Sequence, residues 1–367
     1  MFKILKKSKI SSARLGIIKT PHGVINTPCF MPDATRGVVK QLSSDELSGL
    51  GLEALVANTL HLFLRPGVKF MKRAGGLHQF MAWPRPILTD SGGYQVFSLI
   101  HRGKQGGAIN DKGAFFKSPL DGSKIGLTPE QSIKIQLALG SDLIVCLDDC
   151  PPNDYDDEKI GVSVERTIKW AKRCKKEYDK HAKRSKILLF AVVQGGNNLK
   201  LRELCARELI KIGFDGYGFG ARHIDAQGNF LGKTLAQTAG LLPDDKPRFG
   251  LGIGSPEDIL KAVKLGWDMF DCVIPTREGR HGRLFLSKKS LLKYAAVNIT
   301  NAKYAKDFSP INAQSKLVEL RQYSKAYLNY LFKIGEPLAA RLASLNNLEF
   351  YLTMLTSVRG LIKNNKF

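Results

Sequence analysis

The chain has 367 residues, of which 43% are hydrophobic, 24% charged and 9% aromatic. Those fractions exclude a disordered, collagen-like or coiled-coil protein and leave one large barrel or two average domains. Fifty-six Lys and Arg against 33 Asp and Glu give a formal charge of +23, which points to a polyanionic partner, nucleic acid before an anionic membrane surface, although a basic proteome alone also raises charge.

In chain order, residues 1–10 carry Lys3, Lys6, Lys7 and Lys9 with no apolar stretch of signal length behind them. No run approaches the ~20 apolar residues of a membrane span, so a cytoplasmic protein is expected. The six cysteines contain no C-x-x-C pair, which argues for reduced thiols and against a disulfide framework or a thiolate zinc site.

From residue 54 onward, continuous apolar segments alternate with amphipathic ones. The segments 54–57, 86–89, 143–147, 187–193, 217–219, 249–253 and 269–274 have the pattern of strands covered on both faces, hence of a buried parallel sheet. Between two of them, Val164, Ile168, Ala171, Cys174 and Tyr178 recur at spacings of three and four, one face of a helix. Seven or eight such units fit either a closed (β/α)8 TIM barrel or an open doubly wound sheet. Polar residues follow or end the apolar segments: Asn58, Asp90, Asp148, Gln194, Gly220, Gly252 and Asp271. Turn chemistry accounts for any one of them. Functional groups at the ends of many different strands favour the barrel, because an open sheet gathers its ligand at one crevice.

After about Lys288 the alternation stops, and helical patterns follow near 317–333 and 347–362. Residues 288–367 hold thirteen Lys or Arg and four Asp or Glu, +9 of the total. The expected organisation is a TIM-barrel catalytic domain over 1–287 and a basic, mainly helical subdomain over 288–367 packed on it. A solvated lysine-rich surface without a partner would have the same composition.

Asp90 leads into Ser91-Gly92-Gly93-Tyr94, where backbone N–H groups can face a ligand and Tyr94 offers a flat face for stacking a base. Asp148 and Asp149 close the 143–147 segment, and Asp271 is flanked by apolar residues on both sides. A carboxylate in such surroundings either pairs with structural donors or is held for reaction. Two carboxylates about one sugar carbon can split glycosyl transfer into two displacements. If a base resolves the intermediate, the result is base exchange. Arg277, Arg280 and Arg283, interleaved with glycines just after Asp271, can approach phosphates.

Several segments resemble those of the tRNA-guanine transglycosylases: Thr-Asp-Ser-Gly-Gly-Tyr-Gln-Val-Phe (89–97), Val-Val-Gln-Gly (192–195) and Met-Phe-Asp-Cys-Val-Ile-Pro-Thr-Arg (269–277). Further matching pieces lie at 27–32, 58–62, 213–217 and 323–328, and the similarity runs in order from about residue 16 to 361. The resemblance implies a TIM barrel that replaces guanine at the wobble position of a tRNA anticodon with a 7-deazaguanine, in queuosine formation, without a redox or nucleotide cofactor. It implies Asp271 as nucleophile on the ribose carbon and Asp90 as general acid/base. Asp148 and Gln194 would bond the base edge, a donor–acceptor set that separates guanine-like bases from adenine. Gly220 would lie in a loop supplying a backbone donor, and Tyr94 would stack on the ring. Ser91 and Cys150 complete the candidate base-binding set, although burial as a small hydrophobe accounts for Cys150 equally. The target nucleotide would have to leave its stack.

Two departures stand out. Where the family usually has Gly-Gly-Leu, this chain reads Gly220-Ala221-Arg222-His223, which brings a cation near the 7-substituent. Where the family has a Cys-x-Cys-x-x-Cys run and a later His holding structural zinc, this chain has Ser315, Leu317, Leu320 and Asn346. No bound metal is expected, with packing of Leu317 and Leu320 doing the organising. His61 and His281 are expected as hydrogen-bonded structural residues. The family commonly forms homodimers, to which Tyr323, Tyr327 and Tyr330 could contribute, or they are subdomain core. Two alternatives stay open: a non-catalytic tRNA-binding partner subunit, and the same chemistry on another nucleic acid.

Overall fold

The computed structural model describes residues 1–94, 100, 106–152, 155–182, 185–288 and 292–367. Eight short parallel strands make one sheet: β1 (Cys29–Pro32), β2 (Leu55–Ala57), β3 (Ile87–Thr89), β4 (Leu143–Val145), β5 (Leu188–Val193), β6 (Gly216–Phe219), β7 (Arg248–Gly250) and β8 (Met269–Cys272). Neighbours run β1-β8-β7-β6-β5-β4-β3-β2. The two ends meet through a parallel bridge between Asp33 and Val56, and Ala34 N–H donates to Val56 O at 2.6 Å. The sheet therefore closes into a barrel, and the open alternative is set aside.

Seven strands lie on the apolar segments predicted from residue 54 onward. The eighth, β1, is buried at all four positions but follows an antiparallel hairpin instead of a helix, so it carries no strand–helix signature. Side chains alternate across the wall. Val56, Leu88, Val145, Phe190 and Met269 share one buried cluster inside the barrel, whereas Leu55, Ile87, Ile144, Leu189 and Phe270 belong to the larger cluster beneath the helices. Two-sided burial is why the strands read as unbroken apolar runs. In the Asp157–Ala182 helix the five residues of the predicted stripe are all buried.

A three-stranded antiparallel sheet of Phe2–Lys7, Arg14–Thr20 and Gly23–Thr27 covers the N-terminal end of the barrel and adds Ile18 and Ile25 to the inner cluster. At that end, Asp142 accepts from the backbone N–H of Ile87 and of His22 and lies against His22 Nδ1 at 2.8 Å and His78 Nε2 at 3.1 Å. Asp268 is bound by both Nε and Nη2 of the buried Arg14.

Beyond β8 come the Ile274–Arg280 helix and a hairpin of Arg283–Ser287 with Tyr294–Asn298. The helical pattern predicted over 317–333 is two helices, Val318–Gln322 and Lys325–Lys333, because the Ser324 side chain caps the second by accepting from Tyr327 N. The last helix, Pro337–Lys363, begins ahead of the predicted 347. Its Leu345, Leu348, Tyr351 and Leu355 join the cluster beneath the barrel helices, while Leu284, Ile299, Leu320, Leu328 and Leu342 form a cluster of their own. All six cysteines are free. Among the described residues no helix is long and apolar enough to cross a membrane.

Candidate active site

The C-terminal ends of the strands bring together what the sequence scatters. After β2, Asn58 caps the Thr59–Leu64 helix through its Oδ1 and donates from Nδ2 to Asp90 Oδ2 at 2.5 Å. Asp90 Oδ1 accepts from Thr59 N at 3.0 Å and Gly92 N at 3.1 Å. The glycine turn forms, with Gly92 at φ +80°, which glycine adopts without strain, but its N–H groups are engaged with site side chains, Gly92 N with Asp90 and Gly93 N with Ser91 Oγ at 3.1 Å. All donors to Asp90 are neutral. Burial pushes it up to about 7 against the pull of Thr59 and Gly92, and the charges of Asp33 and Asp271 add to the push.

Asp271, in β8, accepts from Gly252 N at 2.9 Å. Burial lifts it to about 7, and Asp33 again contributes. Asp148, after β4, accepts from Ser91 Oγ at 3.2 Å and Gln194 Nε2 at 2.7 Å, and burial lifts it to about 6. Asp149, its neighbour, takes the structural part instead: it is buried and paired with Arg166. Since a carboxylate only accepts, Gln194 must turn its amide nitrogen to Asp148. Its Oε1 is then a buried acceptor with no partner among the described residues.

Gly220 contributes space: a Cβ there would sit 2.3 Å from Gln194 Nε2. Its N–H is engaged with Val193 O at 2.9 Å, so a backbone donor to a ligand is not the Gly220 N–H in this arrangement. Ala221, next in the loop, has φ +74° and directs its N–H to Cys150 Sγ. Burial among these groups pushes the Cys150 thiol up to about 12, so it is an uncharged wall of the site. Arg222 is exposed, whereas His223 is tied to Asp258 at 3.3 Å. Tyr94 is 55% exposed, on the turn that follows Asp90. The Gln95-Val96-Phe97 end of that motif lies outside the described residues.

Arg277 and Arg283 are exposed, each near Glu278. Arg280 is partly buried, and its Nη1 has no partner among the described residues. Burial, then the charge of Arg277, lowers its pKa. His281 Nδ1 lies 2.7 Å from Arg277 O. His61 is half-buried, and burial lowers its pKa.

Two residues of the site escaped the sequence reading. Asp33, at the end of β1, accepts from Thr35 Oγ1 at 2.6 Å, is raised by burial, and is the third carboxylate whose charge reaches Asp90 and Asp271. A strand-end carboxylate was its only signal, and β1 was not recognised as a strand. Arg202 is fully buried beneath the loops after β5 and β6. It donates to Gly196 O at 2.7 Å, Val193 O at 3.2 Å and Gly220 O at 2.9 Å, with its guanidinium 4.0 Å from the Phe219 ring centroid. Burial lowers it to about 9. Its signal was an arginine in register with Cys205, Ala206 and Leu209 on an apolar helix face.

The C-terminal end of the barrel therefore holds three acids bound by neutral donors, with the helix bearing Arg277 and Arg280 following directly on the strand of Asp271. That is the form of a glycosyl-transferring site on a polyanion. The family model for queuine tRNA-ribosyltransferase matches residues 9–367. Similar proteins named queuine tRNA-ribosyltransferase include one from Thermoanaerobacter sp. (strain X514), 44% identical over 365 residues, covering 100% of this chain and 94% of that protein. One from Halothermothrix orenii is 42% identical, covering 99% and 94%, and one from Bacillus licheniformis is 42% identical, covering 100% and 92%. The chain belongs to the queuine tRNA-ribosyltransferase family.

Proposed function

We propose that this chain is a tRNA-guanine transglycosylase, a pentosyltransferase that exchanges guanine at the anticodon wobble position for a 7-deazaguanine in queuosine modification. Family membership supports the reaction class. The observation that carries the residue roles is the pair Asp90 and Asp271, both lifted to about 7 by burial, with the charge of Asp271 reaching Asp90 and that of Asp33 reaching both.

Asp271 as carboxylate attacks C1′ of the flipped nucleotide; the C1′–N bond to guanine breaks and a C1′–O ester forms. Asp90 gives its proton to the departing ring nitrogen. The incoming base then loses its ring N–H proton to Asp90 as that nitrogen attacks C1′ and displaces Asp271. Asp148 accepts from the base's ring N–H and exocyclic amine, and Gln194 meets the remaining polar edge. Ser91 fixes Asp148, Gly220 leaves room for Gln194, Tyr94 covers the ring and Cys150 walls the pocket. Arg277, Arg280 and Arg283 engage the phosphates.

Incorporation of labelled guanine into unmodified tRNA tests this. Activity in the wild type that is lost in both Asp271→Asn and Asp90→Asn supports it; no activity with several tRNAs would turn the reading toward a binding subunit. Arg222 carries the specificity proposal: a cation near an ammonium-bearing 7-substituent costs electrostatic energy. A competition assay should show the aminomethyl base exchanged more slowly than guanine, which lacks that charge, and equal rates would overturn it. The exposed Tyr323, Tyr327 and Tyr330 support a homodimer, readable by sedimentation.

A further inference from the structure

The family's metal would sit where this chain has Ser315, Leu317, Leu320 and Asn346, and these residues do not fit it. Two are hydrocarbons, Leu320 wholly buried. Ser315 Oγ is committed, donating to Glu349 Oε2 at 2.5 Å and accepting from Leu317 N at 3.0 Å. The Asn346 amide is committed too: Oδ1 accepts from Asn312 Nδ2 at 3.0 Å, and Nδ2 donates to Phe285 O and Asn347 Oδ1, each at 3.1 Å. Nothing here offers the thiolate and imidazole donors zinc selects.

What stands there is a polar clasp centred on Glu349, one turn past Asn346 on the Pro337–Lys363 helix. Its Oε1 accepts from Lys316 N at 2.6 Å, and Arg321 donates to Ser315 O at 2.6 Å. Like a metal, the carboxylate ties the 312–321 segment to the long helix from two directions. The neighbouring Asn347 is fully buried and fully bonded. Its Nδ2 donates to Pro275 O at 2.9 Å and Arg283 O at 2.8 Å, and its Oδ1 accepts from Phe285 N at 2.9 Å. Pro275 lies four residues past Asp271, and Arg283 belongs to the basic segment. The helices touch closely there: a Cβ on Gly279 would lie 2.9 Å from the Ala343 and Ser344 backbone.

We infer that the Ser315–Glu349 clasp replaces the structural metal, and that Glu349 and Asn347 are positioning residues holding the nucleophile segment and the basic segment in register. The catalytic part rests on the proposed function; the structural part does not. Full-length protein grown with added zinc should contain less than about 0.1 zinc per chain, and chelator should leave guanine exchange unchanged. Glu349→Gln keeps one acceptor and replaces the other with a donor, so it cannot accept from both Lys316 N and Ser315 Oγ. It should speed limited proteolysis within 312–321 about tenfold and raise KM for tRNA several-fold with little change in kcat. Asn347→Ala should lower kcat about tenfold or more instead. Rescue supplies a variant independent of misfolding. Ser315→Cys, Leu317→Cys, Leu320→Cys and Asn346→His together should bind one zinc and make Glu349→Gln harmless to proteolysis.

One chelatable zinc in the wild type, or proteolysis of Glu349→Gln at the wild-type rate, overturns the clasp. Unchanged kcat in Asn347→Ala overturns its positioning role. If the wild type exchanges no guanine, the reaction reading and the positioning roles fail together, and the zinc and proteolysis arms still decide the clasp.

Discussion

Both ends of this barrel hold aspartates, and Asp142 at the base is treated in the opposite way to the three at the mouth. At the base, Asp142 meets two backbone N–H groups and two imidazole rings, and Asp268 meets the Arg14 guanidinium. Burial opposes ionisation of Asp142, but the contacts of His78, Ile87 and His22 win, and its pKa falls below the usual value. At the mouth, Asp90, Asp148 and Asp271 meet amides, a hydroxyl and backbone N–H groups, and burial wins. Asp142 has four contacts to set against desolvation, whereas Asp268, wholly buried, is raised by burial even though Arg14 binds it, so a charged partner alone does not decide the balance. One end is closed by its carboxylates, and the other holds them ready to exchange protons.

The largest expected effect tests the mouth. Asp271→Asn should lower guanine exchange by a factor on the order of 10⁴ or more, because covalent catalysis ends. Asp90→Asn should cost about 10²–10⁴. With both acids near 7, wild-type exchange should follow a bell centred near neutrality: activity rises as Asp271 ionises and falls as Asp90 loses its proton. The two apparent values belong to the pair. A rate that stays flat from pH 5 to 9 would remove the poised pair.

At the base, Asp142→Asn should cost about 3 kcal/mol of stability, since an amide cannot accept from all four donors. Urea denaturation at pH 7 measures this, and exchange per folded molecule should hold. The pH signs oppose each other. Asp142 is depressed, so its stabilisation is present above the unfolded value of about 3.9 and is lost as pH falls through the lower folded value. Asp90 and Asp271 are raised, so their contribution is present below about 3.9 and is lost as pH rises through about 7. Asp271→Asn should therefore be more stable than wild type at pH 8 and no more stable at pH 4. An equal effect at both pH values would show that the acid is not held against its charge.

The mouth was legible in the sequence, and the base was not. Seven strands showed because double burial leaves unbroken apolar runs, and Asp90, Asp148, Gln194 and Asp271 showed because they interrupt those runs where a barrel opens. What escaped depends on partners distant in sequence. Asp142 looks like any Asp before a strand, yet its donors come from residues 22, 78 and 87. Glu349 reads as a helix-surface charge until residues 315 and 316 close on it. Strand β1 was hidden because it follows a hairpin and not a helix, and Asp33 was lost with it. Arg202 did leave a sign, a cation on an apolar face.

The smallest effect concerns the backbone of the mouth. Ala221 at φ +74° is held in a left-handed conformation that costs an L-residue about 1–2 kcal/mol. Ala221→Gly relieves that cost, but glycine enlarges the unfolded ensemble by about 0.4–1 kcal/mol. The two partly cancel, so the net gain should lie between about 0 and 1.6 kcal/mol by chemical denaturation. The cancellation applies to stability and not to the loop itself, where glycine lets the peptide between residues 220 and 221 turn away from Cys150. Discrimination among 7-substituted bases should therefore relax in Ala221→Gly while exchange of plain guanine is maintained. Unaltered discrimination would show that the bonds of His223 and Gly220 hold the loop without the strained alanine, and the mouth would then be as rigidly built as the base.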